Sequence, residues 1–343
     1  MRAVFLTGHG GNEVVAVGQR PEPQRRPGEV LVRMRAATVN RVDLYMRDSG
    51  AGITHRLPQI MGVDGCGEVV ALDADEPLLR VGQPVVLHPG IGCGRCEFCL
   101  RGDDVLCTAM KLLGEHRDGC FAELVSLPAR NVFAQPPGLD AAQAAALGVN
   151  HLTAWRMLFT QARLQAHETV LVFGIGGGVS LAALQLAKAA GARVLVTSRD
   201  AGKLQRALAL GADGAVHSAT QDIARGVLDL TGGRGVDVVV ENVGAAVWSA
   251  ALKSLVRGGR LVTCGATSGD QPGADLRRLF IRQLQVMGST LGTLAEFGDL
   301  LQFVARHRLQ PVIDSRHALD DAHAALSRLE SGQQFGKVAL TID

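Results

Sequence analysis

Aromatic side chains are scarce in this chain: one tyrosine, two tryptophans and ten phenylalanines among 343 residues. Surfaces that stack nucleic-acid bases draw on such rings, so that class of partner is disfavoured. An excess of one charge is missing too. The formal net charge is +2, too small to build a field for a polyanion or an anionic membrane. No run reaches the ~18 uninterrupted apolar residues of a membrane span. The opening Met1-Arg-Ala-Val-Phe-Leu-Thr-Gly8 is broken too soon for a secretory signal. There is no internal repeat and no low-complexity segment. These absences predict a cytoplasmic protein with no nucleic-acid and no membrane partner, long enough for two domains.

Glycine, by contrast, is plentiful at 42 residues, and its densest cluster organises the chain. Val170 to Phe173 reads as a buried strand. Gly174, Gly176, Gly177 and Gly178 follow as a turn that lets backbone approach a ligand. From Val179 to Ala190 the residues favour helix, and Gly191 stops it. Strand, glycine turn and helix N-terminus together suit a pyrophosphate. A second strand follows at Arg193–Thr197. The position that reads the ribose lies at its end, about 20 residues past the glycines. It holds no acid, but Ser198, then Arg199, with Lys203 a turn later. An acid there would bind the ribose hydroxyls of NAD. Serine, arginine and lysine suit a 2′-phosphate, so the expected cofactor is NADP(H). The plainer reading of Arg199 and Lys203 is a solvated helix start.

Four of the seven cysteines stand together as Cys93-Gly-Arg-Cys96-Glu-Phe-Cys99, then Cys107. In a reducing compartment such a group binds metal before it forms disulfides. Four thiolates close a tetrahedral shell around one structural zinc and leave no open position. An iron–sulfur cluster is the chemical rival.

The rest of the chain divides by rhythm. Residues 1–35 give strands at Met1–Thr7 and Glu29–Ala36, the start of an antiparallel region. A short helix follows within Ala37–Gly50, where Asn40, Asp43 and Tyr45 are polar groups on an apolar frame. Asn40 also reads as a helix cap and Tyr45 as a surface residue. Asp64 lies among small and apolar residues, as a buried acid with a partner would. His116 is placed in a loop, hydrogen-bonded there. From about residue 150 a βα rhythm takes over, with strands at 170–173, 193–197, 214–217, 236–240 and 260–264 and an edge strand at Val286–Leu291. That is a doubly wound parallel sheet. A last strand, Phe335–Ile342, returns to the first domain.

The order of these parts resembles the medium-chain dehydrogenase/reductase superfamily over essentially the whole chain. The telling pieces are the Met-Arg-Ala-Val start, the four-cysteine lobe, Gly-Gly-Gly-Val-Ser in the nucleotide turn, Leu210-Gly-Ala-Asp213 and Phe335-Gly-Lys-Val338. The resemblance implies an α/β architecture: a GroES-like, β-rich catalytic domain of residues 1–150 and 291–343 around a Rossmann domain of residues 151–290. It places Thr153 near the nicotinamide, with Gly265, Ala266 and the Ser289–Leu291 stretch near the carboxamide. It also implies a homodimer or a tetramer. Where zinc alcohol dehydrogenases hold their catalytic metal, this chain has Asn40, Val63 and Val149, a set too poor in donors for zinc. Asn40-Arg-Val-Asp43 with Tyr45 is similar to the quinone oxidoreductase branch instead, although that branch usually lacks the cysteine lobe. Ser180 stands where that branch usually has glycine.

Without a Lewis acid, charge on a reduced oxygen must be spread by the substrate and met by hydrogen bonds. Quinones and α,β-unsaturated carbonyls fit that requirement. The expected activity is therefore NADPH-dependent reduction of a quinone or enone. Asn40 and Tyr45 are the candidate donors, Arg41 a weaker one, and Asp43 completes the pattern; Tyr45 or solvent would deliver the proton. The alternatives are an NAD(P)-dependent zinc-type alcohol dehydrogenase and an NADPH-binding protein with little catalysis.

Overall fold

The computed structural model describes residues 1–53 and 55–342. Its residues cluster into two units, Met1–Leu152 with Leu291–Asp343, and Thr153–Thr290. Among the described residues no helix is long and apolar enough to cross a membrane.

The first unit is built on the strand Glu29–Val39. Its alternation puts Val30, Val32 and Met34 in the core and leaves Arg33 and Arg35 outside. It pairs antiparallel with Asp64–Ala71, Leu124–Pro128 and Lys337–Thr341. The strand runs three residues past the expected Ala36. Ala37 to Val39 gain their ladder from Val338–Leu340, a segment some 300 residues away that local pattern could not supply. Two registers meet here: Thr38 lies opposite Asp64 on one side, and Val39 opposite Val338 on the other. The helix Arg41–Ser49 starts directly afterwards. Thus the end of one strand gathers the start of a second, the start of a third and a helix N-terminus.

The second unit carries a six-stranded parallel sheet, in the order Gly214–His217, Arg193–Ser198, Thr169–Val172, Val236–Glu241, Leu255–Thr263, Gln285–Gly288. Its inner strands are apolar where they cross the core, with Val170–Val172, Val194–Val196 and Val238–Val240 all buried, as in a parallel sheet covered on both faces. The order reverses direction between Thr169–Val172 and Val236–Glu241, and ligands of such sheets bind beyond the strand ends at that point. The edge strand is shorter than the expected Val286–Leu291. It ends at Gly288, and Leu291 has φ of 45°, which breaks the extended run.

Candidate functional site

In the second unit, the glycine turn has the shape a pyrophosphate requires. Gly174 and Gly176 have φ of 64° and 113°, the left-handed region closed to most side chains. No side chain caps the helix Gly178–Ala189, so its first N–H groups have no side-chain acceptor from the cap and can serve an anion. Gly177, Gly178 and Val179 are half-buried at this end. Ser180 does more than fit. Its buried Oγ donates to the Phe173 carbonyl at 2.8 Å and accepts from Asn242 Nδ2 at 3.0 Å, bolting the helix to the strand ends. The neighbouring loops are fixed by buried Glu241, which accepts from the N–H groups of Val243 and Gly244 and from Thr263 Oγ1. Gly265 and Ala266 lie in the turn after Thr263, and Thr153 is buried at this unit's start.

Ser198 closes its strand and accepts from Asp200 N–H at 3.1 Å, leaving its hydroxyl proton to give away. Arg199 is exposed and Lys203 half-buried. The nearby acid, Asp200, is committed to capping the next helix through Lys203 N–H at 3.0 Å. These backbone N–H groups hold its carboxyl below the usual range. The groups present fit a phosphate-bearing ribose.

In the first unit, the sulfurs of Cys93, Cys96, Cys99 and Cys107 all lie within 4.8 Å of one another. Thiolates 2.3 Å from a tetrahedral zinc stand about 3.8 Å apart, so the donor set fits a structural zinc. The N–H groups of Cys93 and Ala109 point at Cys107 Sγ, at 3.2 and 3.4 Å. The backbone N–H groups of Arg95 and Cys96 bring the Cys93 thiol down to about 6, while burial pushes Cys99 up to about 12. A bound dication removes that last proton too.

The strand junction of the first unit holds a buried polar array. Lys337 Nζ donates to Asn40 Oδ1 at 2.6 Å and to the Val39 carbonyl at 3.1 Å, and lies 3.7 Å from Asp64 Oδ2. Asp64 Oδ1 accepts from the Thr38 N–H and, at 2.6 Å, from its hydroxyl. Asn150 Nδ2 donates to Asn40 Oδ1 at 2.8 Å. Gly148 permits this approach: a Cβ there would stand 2.9 Å from both Asp64 Cβ and the Leu87 carbonyl. Asn40, Asp43, Asp64 and Lys337 are all less than 5% exposed. Burial drives Asp64 up and Lys337 down, and their opposite charges resist both shifts.

This array settles how Asn40 and its neighbours stand. Asn40 Oδ1 already accepts two hydrogen bonds and its Nδ2 donates to the Thr38 carbonyl, so its amide serves the protein. Asp43 turns inward and accepts from Asn40 N–H at 2.7 Å, capping its own helix. Arg41 and Tyr45 are exposed, one turn apart on the opposite face. His116 accepts from Leu112 N–H in its loop. Lys337 and Asn150 were missed as site residues. A polar residue inside an Ala-Leu-Gly-Val run was the only local sign of Asn150.

The donors do not fit a catalytic zinc. Val63 and Val149 offer no ligand atom, and the one remaining oxygen, Asn40 Oδ1, faces an ammonium 2.6 Å away.

Asp43 yields a pH prediction. Burial first, then the charges of Asp64 and Glu115, push its carboxyl up to about 8, against the pull of Asn40 N–H and Lys337. Glu115 is itself pushed up to about 7 by burial. A raised carboxyl keeps its proton on folding. Its contribution to stability is complete below the unfolded value near 3.8 and is lost as pH climbs through about 8. Asp43→Asn mimics the protonated form. Relative to wild type, the variant should gain stability between pH 5.5 and 8, by up to about 1.4 kcal/mol per unit. Urea unfolding at several pH values tests this; parallel wild-type and variant curves would contradict it.

Residues 26–137 match the alcohol dehydrogenase GroES-like domain, and residues 178–306 match the zinc-binding dehydrogenase family. An alcohol dehydrogenase of Geobacillus stearothermophilus is 31% identical over 322 residues, covering 93% of each chain. The crystal structure of an NAD-dependent alcohol dehydrogenase superposes with TM-score 0.96 at 40% identity, over 100% of both chains. A 2-octenoyl-CoA carboxylase reductase solved with NADP and 2-octenoyl-CoA superposes with TM-score 0.89 at 25% identity, over 99% of this chain and 87% of that one. With its GroES-like and parallel-sheet units accounted for along nearly its whole length, the chain belongs to the zinc-type alcohol dehydrogenase-like group of the medium-chain dehydrogenase/reductase superfamily, and is an NAD(P)-dependent oxidoreductase.

Proposed function

We propose that this oxidoreductase reduces a quinone or an α,β-unsaturated carbonyl with NADPH, and does so without a catalytic zinc. The observation that carries the reading is the Lys337 ammonium seated on Asn40, with Val63 and Val149 at the other ligand positions. When bound, the nicotinamide supplies hydride to an electron-poor carbon. The chain's own part is to orient the acceptor, receive charge on its oxygen through N–H groups, and admit a proton. Tyr45, exposed on its helix, or solvent delivers that proton. Ser198, Arg199 and Lys203 favour the 2′-phosphate of NADPH, and the glycine turn receives the pyrophosphate. One structural zinc per chain stabilises the cysteine lobe. The enzyme works in the cytoplasm as a homodimer, with a tetramer as the alternative. The edge strand Gln285–Gly288 and the exposed Leu276, Phe280, Ile281 and Val286 form the pairing face.

A second reading, NAD-dependent alcohol oxidation, draws on the names of the similar proteins. One assay separates the two. NADPH oxidation is followed with 1,4-benzoquinone and 2-cyclohexen-1-one, and NAD reduction with primary alcohols. Turnover of the first pair and none of the second is expected; the reverse overturns the proposal. Tight NADPH binding with no turnover of any acceptor would make the chain a nucleotide-binding protein.

A further inference from the structure

The hydrogen bonds around Asn40 have a direction that the chemistry of lysine imposes. An ammonium only donates, so the Asn40 atom 2.6 Å from Lys337 Nζ is the oxygen. The Asn150 atom 2.8 Å from that same oxygen must then be the amide nitrogen. Neither amide can turn over without setting two donors, or two acceptors, against each other. The charge of Lys337 thereby fixes Asn150 two side chains away. One Asn150 N–H is used on Asn40. Its second N–H makes no hydrogen bond among the described residues, and Asn150 is half-buried where the other members of the array are buried. Asn40 spends one N–H on the Thr38 carbonyl and is buried, so Asn150 is the half-buried amide of the group Lys337–Asn40–Asn150 with an N–H to offer.

Resting on the reductase reading above, we infer that Asn150 is the residue that hydrogen-bonds the substrate's carbonyl oxygen, and that Lys337 and Asn40 are positioning residues that hold its amide in the donating orientation. For an enone, hydride from NADPH forms a C–H bond at the β-carbon. The alkene π pair shifts to join the α-carbon and the carbonyl carbon, and the carbonyl π pair moves onto oxygen. That oxygen accepts the Asn150 N–H as its charge develops, and water supplies the proton that finally bonds the α-carbon. A preorganised donor of this kind contributes about 10²–10³-fold to such a step.

The test is single-turnover oxidation of NADPH by 2-cyclohexen-1-one, with NADPH affinity and melting temperature measured alongside. Asn150→Ala should slow the hydride step about 100-fold and leave NADPH affinity and melting within error. Asn150→Asp supplies a second signature. Its carboxylate can only accept and faces the Asn40 oxygen, so the variant should be slow at pH 8. It should recover as the pH falls and the new carboxyl takes up a proton, which a purely structural role would not produce. Wild-type rates in both variants would overturn the Asn150 role and leave the reductase reading standing. An Asn150→Asp rate that stays flat with pH would also overturn it. A wild-type protein that binds NADPH but reduces neither enone nor quinone overturns the reading itself, and the role of Asn150 with it.

Discussion

Lys337→Met is expected to lower folding stability by about 3–5 kcal/mol at pH 7.5, the cost of leaving a buried charge without its partner. The ammonium sits between Asp64, the Asn40 oxygen and the Val39 carbonyl, and it is buried with all three. Methionine fills a similar volume and brings no donor. Asp64 then keeps only the Thr38 N–H and hydroxyl, while its second oxygen, already without a hydrogen bond, loses the nearest cation. The loss should shrink as pH falls. Asp64 has a raised carboxyl that would rise further without Lys337, so the folded variant binds a proton there and regains stability in acid. Adding Asp64→Asn should recover more than half of the loss, because it removes the stranded charge. Denaturant unfolding of the two single variants and the double variant measures this. A loss under about 1 kcal/mol, additive with Asp64→Asn, would mean the pair is not the coupled unit described here.

Ser198→Asp should reverse coenzyme choice. A carboxylate can accept the Asp200 N–H as Ser198 Oγ does, so the strand end is expected to keep its shape. It would repel a 2′-phosphate and accept from a ribose 2′-hydroxyl instead. The ratio of NADPH to NADH affinity should fall at least 100-fold, equivalent to about 2.7 kcal/mol. Fluorescence titration of each reduced coenzyme, without any acceptor, reads it out directly. A wild-type protein that already prefers NADH would contradict the roles given to Ser198, Arg199 and Lys203.

The parts of the molecule legible in the sequence are those whose cause is local. The glycine turn, the Gly178–Ala189 helix and the apolar parallel strands announce themselves within about 25 residues, and the four cysteines within 15. Even the N-cap position of Asn40 was readable, because a cap depends on its own helix. The polar array was not readable, because its members meet only in three dimensions. Lys337 reaches Asn40 across 297 positions of chain, and Asn150 reaches it across 110. The same long-range pairing extends the strand to Val39 and sets Asp64 opposite Thr38. A polar triplet such as Asn40, Asp43 and Tyr45 looks like one catalytic group in a linear pattern. Helical geometry separates it, turning Asp43 into the core and Tyr45 to the surface. Asn40 is consequently better described as the link between a buried cation and a partly open amide than as the substrate's own donor.

Both the stability of the array and the chemistry proposed for it rest on the Lys337 ammonium that Asn40 holds. The most direct measurement is zinc content per chain of the purified, active protein, by elemental analysis, with Cys107→Ser beside it. The account predicts one zinc in the wild type and none in the variant, since the cysteine lobe is the single group of donors among the described residues that fits the ion. Two zinc ions per chain, one of them retained by Cys107→Ser and required for turnover, would contradict it.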